Sequence, residues 1–341
     1  MKYNIKDNDF LKICTSSDYN FVFNKKNGFF ARWGKTKDDD PQWSPIGPEL
    51  LDIEVTTICK NSCPFCYKNN TCNGKNMSFD TFKNVVDKAS KSKTLGQIAF
   101  GADATLTSNP ELWQMMAYCR SIGIVPNITC ADISDDVADN LVKYCGAVAC
   151  SRYSNKNVCY DSIKKLTDRG MTQVNIHQMV SDETYDQVLE TLNDRKTDPR
   201  LSKMNAIVFL SLKQKGRGEH FTPLSCDKFK NLIKIALEKE IPIGFDSCSC
   251  HKFLETVVGH PHESTFKQNA EACESSGFSF FIDVDGMGHP CSFAPNTSQW
   301  QKGIDITKCN DFIKDVWYNK DVISFRENLL KQDRKCPLYK I

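Results

Sequence analysis

Cys59, Cys63 and Cys66 stand close together in ICKNSCPFCYKNN, near enough for three thiolates to meet on one metal centre. A structural zinc site asks for four closed ligands, often as two separate pairs. Here only Cys72 lies nearby, the next cysteine is Cys119, and the six histidines begin at His177. A thioredoxin-type pair would use Cys63 and Cys66 but leave Cys59 idle, and Pro64-Phe65 opens no helix in the right place. Three cysteines on a four-iron cubane leave one iron free for an outside ligand.

A second set gathers toward the C-terminus: Cys248, Cys250, Cys273, Cys291, Cys309 and Cys336. Within it runs C-x12-G-x4-C, from Cys273 through Gly286 to Cys291, with Asp285-Gly286 supplying turn chemistry between two apolar runs in GFSFFIDVDGMGHPCSF. A calcium loop starting at Asp283 would need a carboxylate at its twelfth position, which is Ala294. Zinc stays open as an occupant of this second set.

The elements that must hold these thiols follow from periodicity. Apolar runs LLDIEVTT, QIAF, IVPNITC, AVACS, TQVNIHQMV and NAIVFLSL alternate with amphipathic stretches. The latter are SFDTFKNVVDKA, N-capped by Ser78, then NPELWQMMAYCRS, SDDVADNLVKYC, NVCYDSIKKLTDRG, closed by Gly170, and SDETYDQVLETL. Alternating strands and helices predict right-handed crossovers and a parallel sheet, about six units making an open, incomplete barrel. Chemistry in such barrels gathers at the C-terminal strand ends, and the three-cysteine loop directly follows the first strand. In TQVNIHQMV the alternation puts Asn175, His177 and Met179 on one face, expected to look into the lumen.

The chain of 341 residues divides by this reading into an N-terminal extension (1–50) with a hairpin at Asn27-Gly28, a barrel (51–245) and a smaller α+β C-terminal domain (246–341). Forty-four Lys+Arg against 42 Asp+Glu give a net charge of +2, with no global pull toward nucleic acid or anionic lipid. Neither a signal-peptide core nor a run of roughly 18 apolar residues is present, so a cytosolic protein is expected. In that reducing compartment 17 cysteines point to metal binding or catalysis more than to disulfides. Cys119, Cys145, Cys150 and Cys159 fall in apolar periodic stretches and read as core residues.

The first triplet, with Phe65 before its third cysteine, resembles the CxxxCxΦC signature of the radical S-adenosylmethionine (radical SAM) superfamily, whose fold is a partial (β/α)6 TIM-like barrel. The resemblance implies that Cys59, Cys63 and Cys66 bind a 4Fe-4S cluster whose fourth iron is chelated by SAM. One electron then cleaves SAM to methionine and a 5'-deoxyadenosyl radical that abstracts a substrate hydrogen. It also implies an electron donor such as flavodoxin or ferredoxin, and backbone contacts from Phe65 to adenine. Gly101-Ala102-Asp103, after the second strand, stands where the family has a GGEP-like turn on the SAM ammonium, although the proline is lost. Ser151 fits a ribose contact; Arg152 is a candidate for the methionine carboxylate or a solvated loop residue; Asn175 and His177 are candidates for SAM or substrate.

The second pattern is similar to the opening of SPASM and twitch domains, which carry auxiliary clusters. A full SPASM domain also needs a later C-x2-C-x5-C-x3-C run, whereas only Cys309 and Cys336 follow Cys291 here. One auxiliary 4Fe-4S cluster is expected, on Cys273, Cys291 and Cys336 with Cys250 or Cys248 as the fourth. Enzymes of this kind often modify peptides, which makes a peptide or protein the first expected substrate. A small molecule such as a nucleotide, sugar or cofactor precursor comes second, and RNA third.

Overall fold

The structure, a computed structural model, describes residues 2–36 and 39–341. Strands β1 (Asn4–Asp7), β2 (Leu11–Thr15), β3 (Asn20–Asn24) and β4 (Phe30–Trp33) pair antiparallel in sequence order. The turn between β3 and β4 contains Gly28 at φ 77°, a left-handed conformation that glycine adopts without steric penalty.

The strand-helix alternation then runs β5 (Leu50–Glu54), α1 (Phe79–Ser90), β6 (Gln97–Gly101), α2 (Leu112–Ser121), β7 (Val125–Cys130), α3 (Asp135–Tyr144) and β8 (Ala147–Ser151). It continues with α4 (Lys156–Asp168), β9 (Val174–Val180), α5 (Tyr185–Thr197), β10 (Ile207–Ser211), α6 (Cys226–Glu238) and β11 (Ile243–Phe245). All seven strands are parallel to their neighbours, giving the partial TIM-like barrel that the periodicity predicts. The seventh, β11, escapes a periodicity reading because it is three residues long and follows Pro242.

Serine side chains start the helices, Ser78 as the sequence predicts and Ser134 in the same way. Ser78 Oγ accepts from the Thr81 N–H at 3.1 Å and Ser134 Oγ from the Val137 N–H at 3.3 Å, each satisfying a donor that the first turn leaves free. Helix α1 buries Phe82, Val85, Val86 and Ala89 against the sheet; full burial of Phe82 alone contributes roughly 2–3 kcal/mol. Cys119, Cys145, Cys150 and Cys159 are buried in this core.

Past residue 245 come α7 (Cys250–Thr256), α8 (Glu263–Asn269), β12 (Ser279–Ile282), β13 (Met287–His289), β14 (Ile304–Asp305) and α9 (Lys320–Lys331). This segment makes no sheet of its own. Strand β12 pairs parallel to β5, so one ten-stranded sheet runs β11-β10-β9-β8-β7-β6-β5-β12-β13-β14. The pairing covers the β5 edge that the barrel would leave open. Among the described residues no helix is long and apolar enough to cross a membrane.

Candidate functional site

The three-cysteine loop leaves the C-terminal end of β5 and folds back on itself. Ser62 and Asn69 take φ of 46° and 57°, the Cys66 N–H donates to the Cys63 carbonyl at 3.2 Å, and Asn61 Nδ2 reaches Cys63 Sγ at 3.1 Å. From the far side the loop after β10 holds it down. Arg217 donates from Nε to the Cys63 carbonyl at 2.8 Å and from its backbone N–H to the Cys66 carbonyl at 3.1 Å. Gly216 packs so closely that a Cβ would sit 2.8 Å from the Cys66 carbonyl oxygen. The glycines and arginine of LKQKGRGEH thus grip the cysteine loop itself.

Beside Cys63 opens a cavity of about 270 Å³, lined by Asn61, Pro64, Phe65, Tyr153, Thr184 and Phe221 among others. Phe65 has Phe221 edge-on at 5.9 Å and Tyr153 tilted at the same distance. The Tyr153 hydroxyl lies within hydrogen-bond reach of Cys63 and Ser151; burial and the neighbouring thiols of Cys63 and Cys59 push its pKa up. Tyr153, Thr184, Gln187 and Phe221 are wall residues that sequence reasoning missed. Tyr153 follows β8, Thr184 and Gln187 stand at the start of α5 and Phe221 follows β10, and no local pattern marks them.

Other expected contacts fall elsewhere. The Asp103 carboxylate is turned into its own loop: it accepts from Thr105 Oγ1 at 2.7 Å and from the N–H groups of Thr105, Ser108 and Thr107 at 3.2, 3.1 and 3.4 Å. It therefore shapes the turn after Gly101-Ala102, because each oxygen is already engaged by donors of its own turn. Arg152 is neither solvated nor aimed into the cavity; it is buried, donating to the Tyr153 carbonyl and pairing with Glu190 at 2.7 Å. Asn175 lies at the N-terminal end of β9, bonded by Asn205 at 2.9 Å, away from the strand ends that carry the cysteines. His177 sits higher in the same strand, Nδ1 3.3 Å from Thr129 Oγ1, and burial lowers its pKa to about 4, so the ring is neutral at pH 7.

The second cysteine set closes around another cavity, of about 190 Å³, whose lining includes Cys248, Cys273, Cys291 and Cys336. Of the two expected alternatives for the fourth ligand, Cys248 lines it and Cys250 does not; the first residue of α7, Cys250 is 1% exposed and packed outside the cavity. Cys309 also lies outside, near Lys88 and Asp315. The Cys248 thiol hydrogen-bonds Cys273, lowering the pKa of Cys273 and raising its own, while burial raises Cys291 to about 12. Lys213, 5% exposed, stands at the cavity wall paired with Asp246. Asp52 faces the same space, and burial lifts its pKa to about 6.

Four thiols and one lysine around one partly open cavity suit an anionic cluster held by thiolates. Among the described residues no three His, Cys, Asp or Glu side chains converge on a single point as one ion would require.

No family model matches the sequence, and no curated protein matches it. Solved structures do match. Streptococcus suis SuiB bound to S-adenosylmethionine aligns with a TM-score of 0.61 and 16% identity, over 80% of this chain and 66% of that one, just under two thirds of its length. SuiB bound to its precursor peptide SuiA aligns with a TM-score of 0.69 and 12% identity, over 94% of this chain and 90% of that one. Coproporphyrinogen III oxidase (HemN) from Escherichia coli, a radical SAM enzyme, aligns loosely, with a TM-score of 0.41 and 12% identity over 57% of this chain. At such identities the SuiB likeness is one of fold: the chain shares with SuiB a partial barrel of parallel strands.

Proposed function

We propose that the protein is a radical SAM enzyme acting on a peptide or protein, with Cys59, Cys63 and Cys66 as ligands of one 4Fe-4S cluster and Cys248, Cys273, Cys291 and Cys336 as ligands of a second. The observation that carries the reading is the three-cysteine loop at the barrel mouth, opening directly onto an aromatic-walled cavity. When bound, the cluster and SAM together supply reductive sulfonium cleavage and hydrogen abstraction.

The chain's own residues do the positioning. Phe65, Phe221 and Tyr153 offer ring faces and edges to an adenine and keep water from the reacting centre. Arg217 and Gly216 fix the cysteine loop, and the Gly101-Ala102 backbone stands at the neighbouring strand end. At the second site Lys213 places a cation next to thiolates, in a buried setting where the attraction is strong. A peptide substrate is supported by the extent of the match to the SuiB chain bound to precursor peptide.

The test is anaerobic reconstitution of the wild type beside a Cys59, Cys63, Cys66 triple alanine variant, with iron and sulfide counts and a SAM cleavage assay. About eight irons falling to about four, with 5'-deoxyadenosine made by the wild type alone, is the expected result. No SAM cleavage under strong reduction would overturn the reading. For the substrate class, perdeuterated peptides should pass deuterium into 5'-deoxyadenosine where a perdeuterated metabolite pool does not.

A further inference from the structure

The second cysteine cavity is braced from the opposite end of the sequence. Arg32, on β4, is 4% exposed at its side chain and reaches three carboxylates: Glu49 at 2.7 Å, Glu271 at 3.0 Å and Glu274 at 3.4 Å. Two of the three flank Cys273 in the chain. Its guanidinium also lies over the Phe278 ring, 3.3 Å from the centroid. Phe278 in turn belongs to the small hydrophobic cluster of the N-terminal sheet, packed with Cys14, Tyr19 and Phe21.

The backbone agrees: the Ser44 N–H donates to the Gly277 carbonyl and the Glu49 N–H to the Phe278 carbonyl, both at 2.8 Å. Tyr19 completes the buried network by donating to Glu49 at 2.5 Å. A second arginine joins it at Glu271. Arg334 donates to the Cys273 carbonyl at 2.9 Å and the Ala272 carbonyl at 2.7 Å, and pairs with Glu271 at 3.2 Å. Residues 271–278 are therefore held by two arginines, one of the N-terminal sheet and one two positions before Cys336.

We propose that Arg32 is a positioning residue for the second cysteine site, and that the N-terminal sheet serves to hold Cys273 in place for its cluster. This rests on the cluster assignment made above. A planar fork can serve several carboxylates at once, which a lysine ammonium on a flexible stem cannot, so the role belongs to arginine specifically. Groups outside a metal's own ligands commonly orient those ligands and tune the metal's properties.

Arg32→Lys keeps the buried charge and so avoids stranding three carboxylates. Iron and sulfide are counted in reconstituted wild type and variant, with SAM cleavage as the control for the first site. Separately, the iron-free proteins are alkylated and the labelling rate of each cysteine is read by mass spectrometry. The expected result is a loss of up to about four irons from the variant with SAM cleavage retained, and at least about tenfold faster labelling of Cys273 with Cys63 unchanged. Equal labelling of Cys273 in both proteins, or a uniform rise at every cysteine, would overturn the proposal. A wild type holding about four irons would instead sink the second cluster, while the labelling of Cys273 would still decide the role of Arg32.

Discussion

Phe65 and Phe221 meet edge to face, their ring centroids 5.9 Å apart and planes at 87°, across the gap between the loop after β5 and the loop after β10. One ring comes from the cysteine loop and the other from the loop that clamps it. The cavity beside Cys63 therefore exists only when both loops are seated.

Replacing Phe221 with alanine should weaken SAM binding by about 2- to 10-fold, the range an aromatic pair contributes beyond simple burial. Iron content should stay at the wild-type value, because the Phe221 backbone bonds Gly218 and Gln214 and the change leaves the Arg217 contacts to the cysteine loop in place. Equilibrium dialysis of the reconstituted proteins reads the affinity; an unchanged value would place the adenine elsewhere.

Cys248 and Cys250 separate the two readings of the second site. Cys248→Ala should drop the iron count from about eight to about four, whereas Cys250→Ala should leave it intact. The second change removes a buried sulfur from the start of α7 and should lower stability by on the order of 1 kcal/mol. Iron loss in the Cys250 variant alone would reverse the assignment.

The Asp103 carboxylate accepts three N–H groups of its own loop. Asp103→Asn puts an amide nitrogen where one acceptor stood, at a cost of about 1–3 kcal/mol. Thermal unfolding of the iron-free protein should move down by several degrees. An unaltered melting temperature would show that the turn does not need the charge.

His177 gives a pH-dependent test. Its folded pKa of about 4 lies below the ordinary 6.5, so as pH falls the unfolded chain takes up the proton first. The contribution of the neutral ring to stability is whole above about pH 6.5 and drains away as pH drops toward 4. The advantage of wild type over His177→Gln should thus shrink by on the order of 1–2 kcal/mol between pH 8 and pH 5. Urea unfolding at the two pH values measures it, and a constant difference would refute the half-buried, neutral ring.

The barrel was legible because parallel strands buried on both faces and amphipathic helices leave different periods in the chain. Ser78 could be read as a cap, since capping depends only on residues three positions apart. What stayed hidden depends on contacts between distant segments. Cys248 and Cys250 differ by two positions, and the helix that starts at Cys250 decides which thiol faces the cavity. Asp103 and Arg152 match a sequence position without matching its orientation; one carboxylate is taken up by a tight turn and the guanidinium by Glu190. Arg32 carried no signal at all, because its partners lie far along the chain.

The ten-stranded order has a mechanical side. Cys248 follows β11, at one flank of the sheet, while Cys291 follows the β12–β13 hairpin beyond β5, at the other. A cluster bound to both would rivet the seam of an unclosed barrel, tying down chain ends that side-chain packing alone must otherwise hold together. Cross-links across long loops restrict the unfolded chain most. Oxidative loss of that iron would then be felt as loosened architecture along the whole opening, well before any substrate arrived.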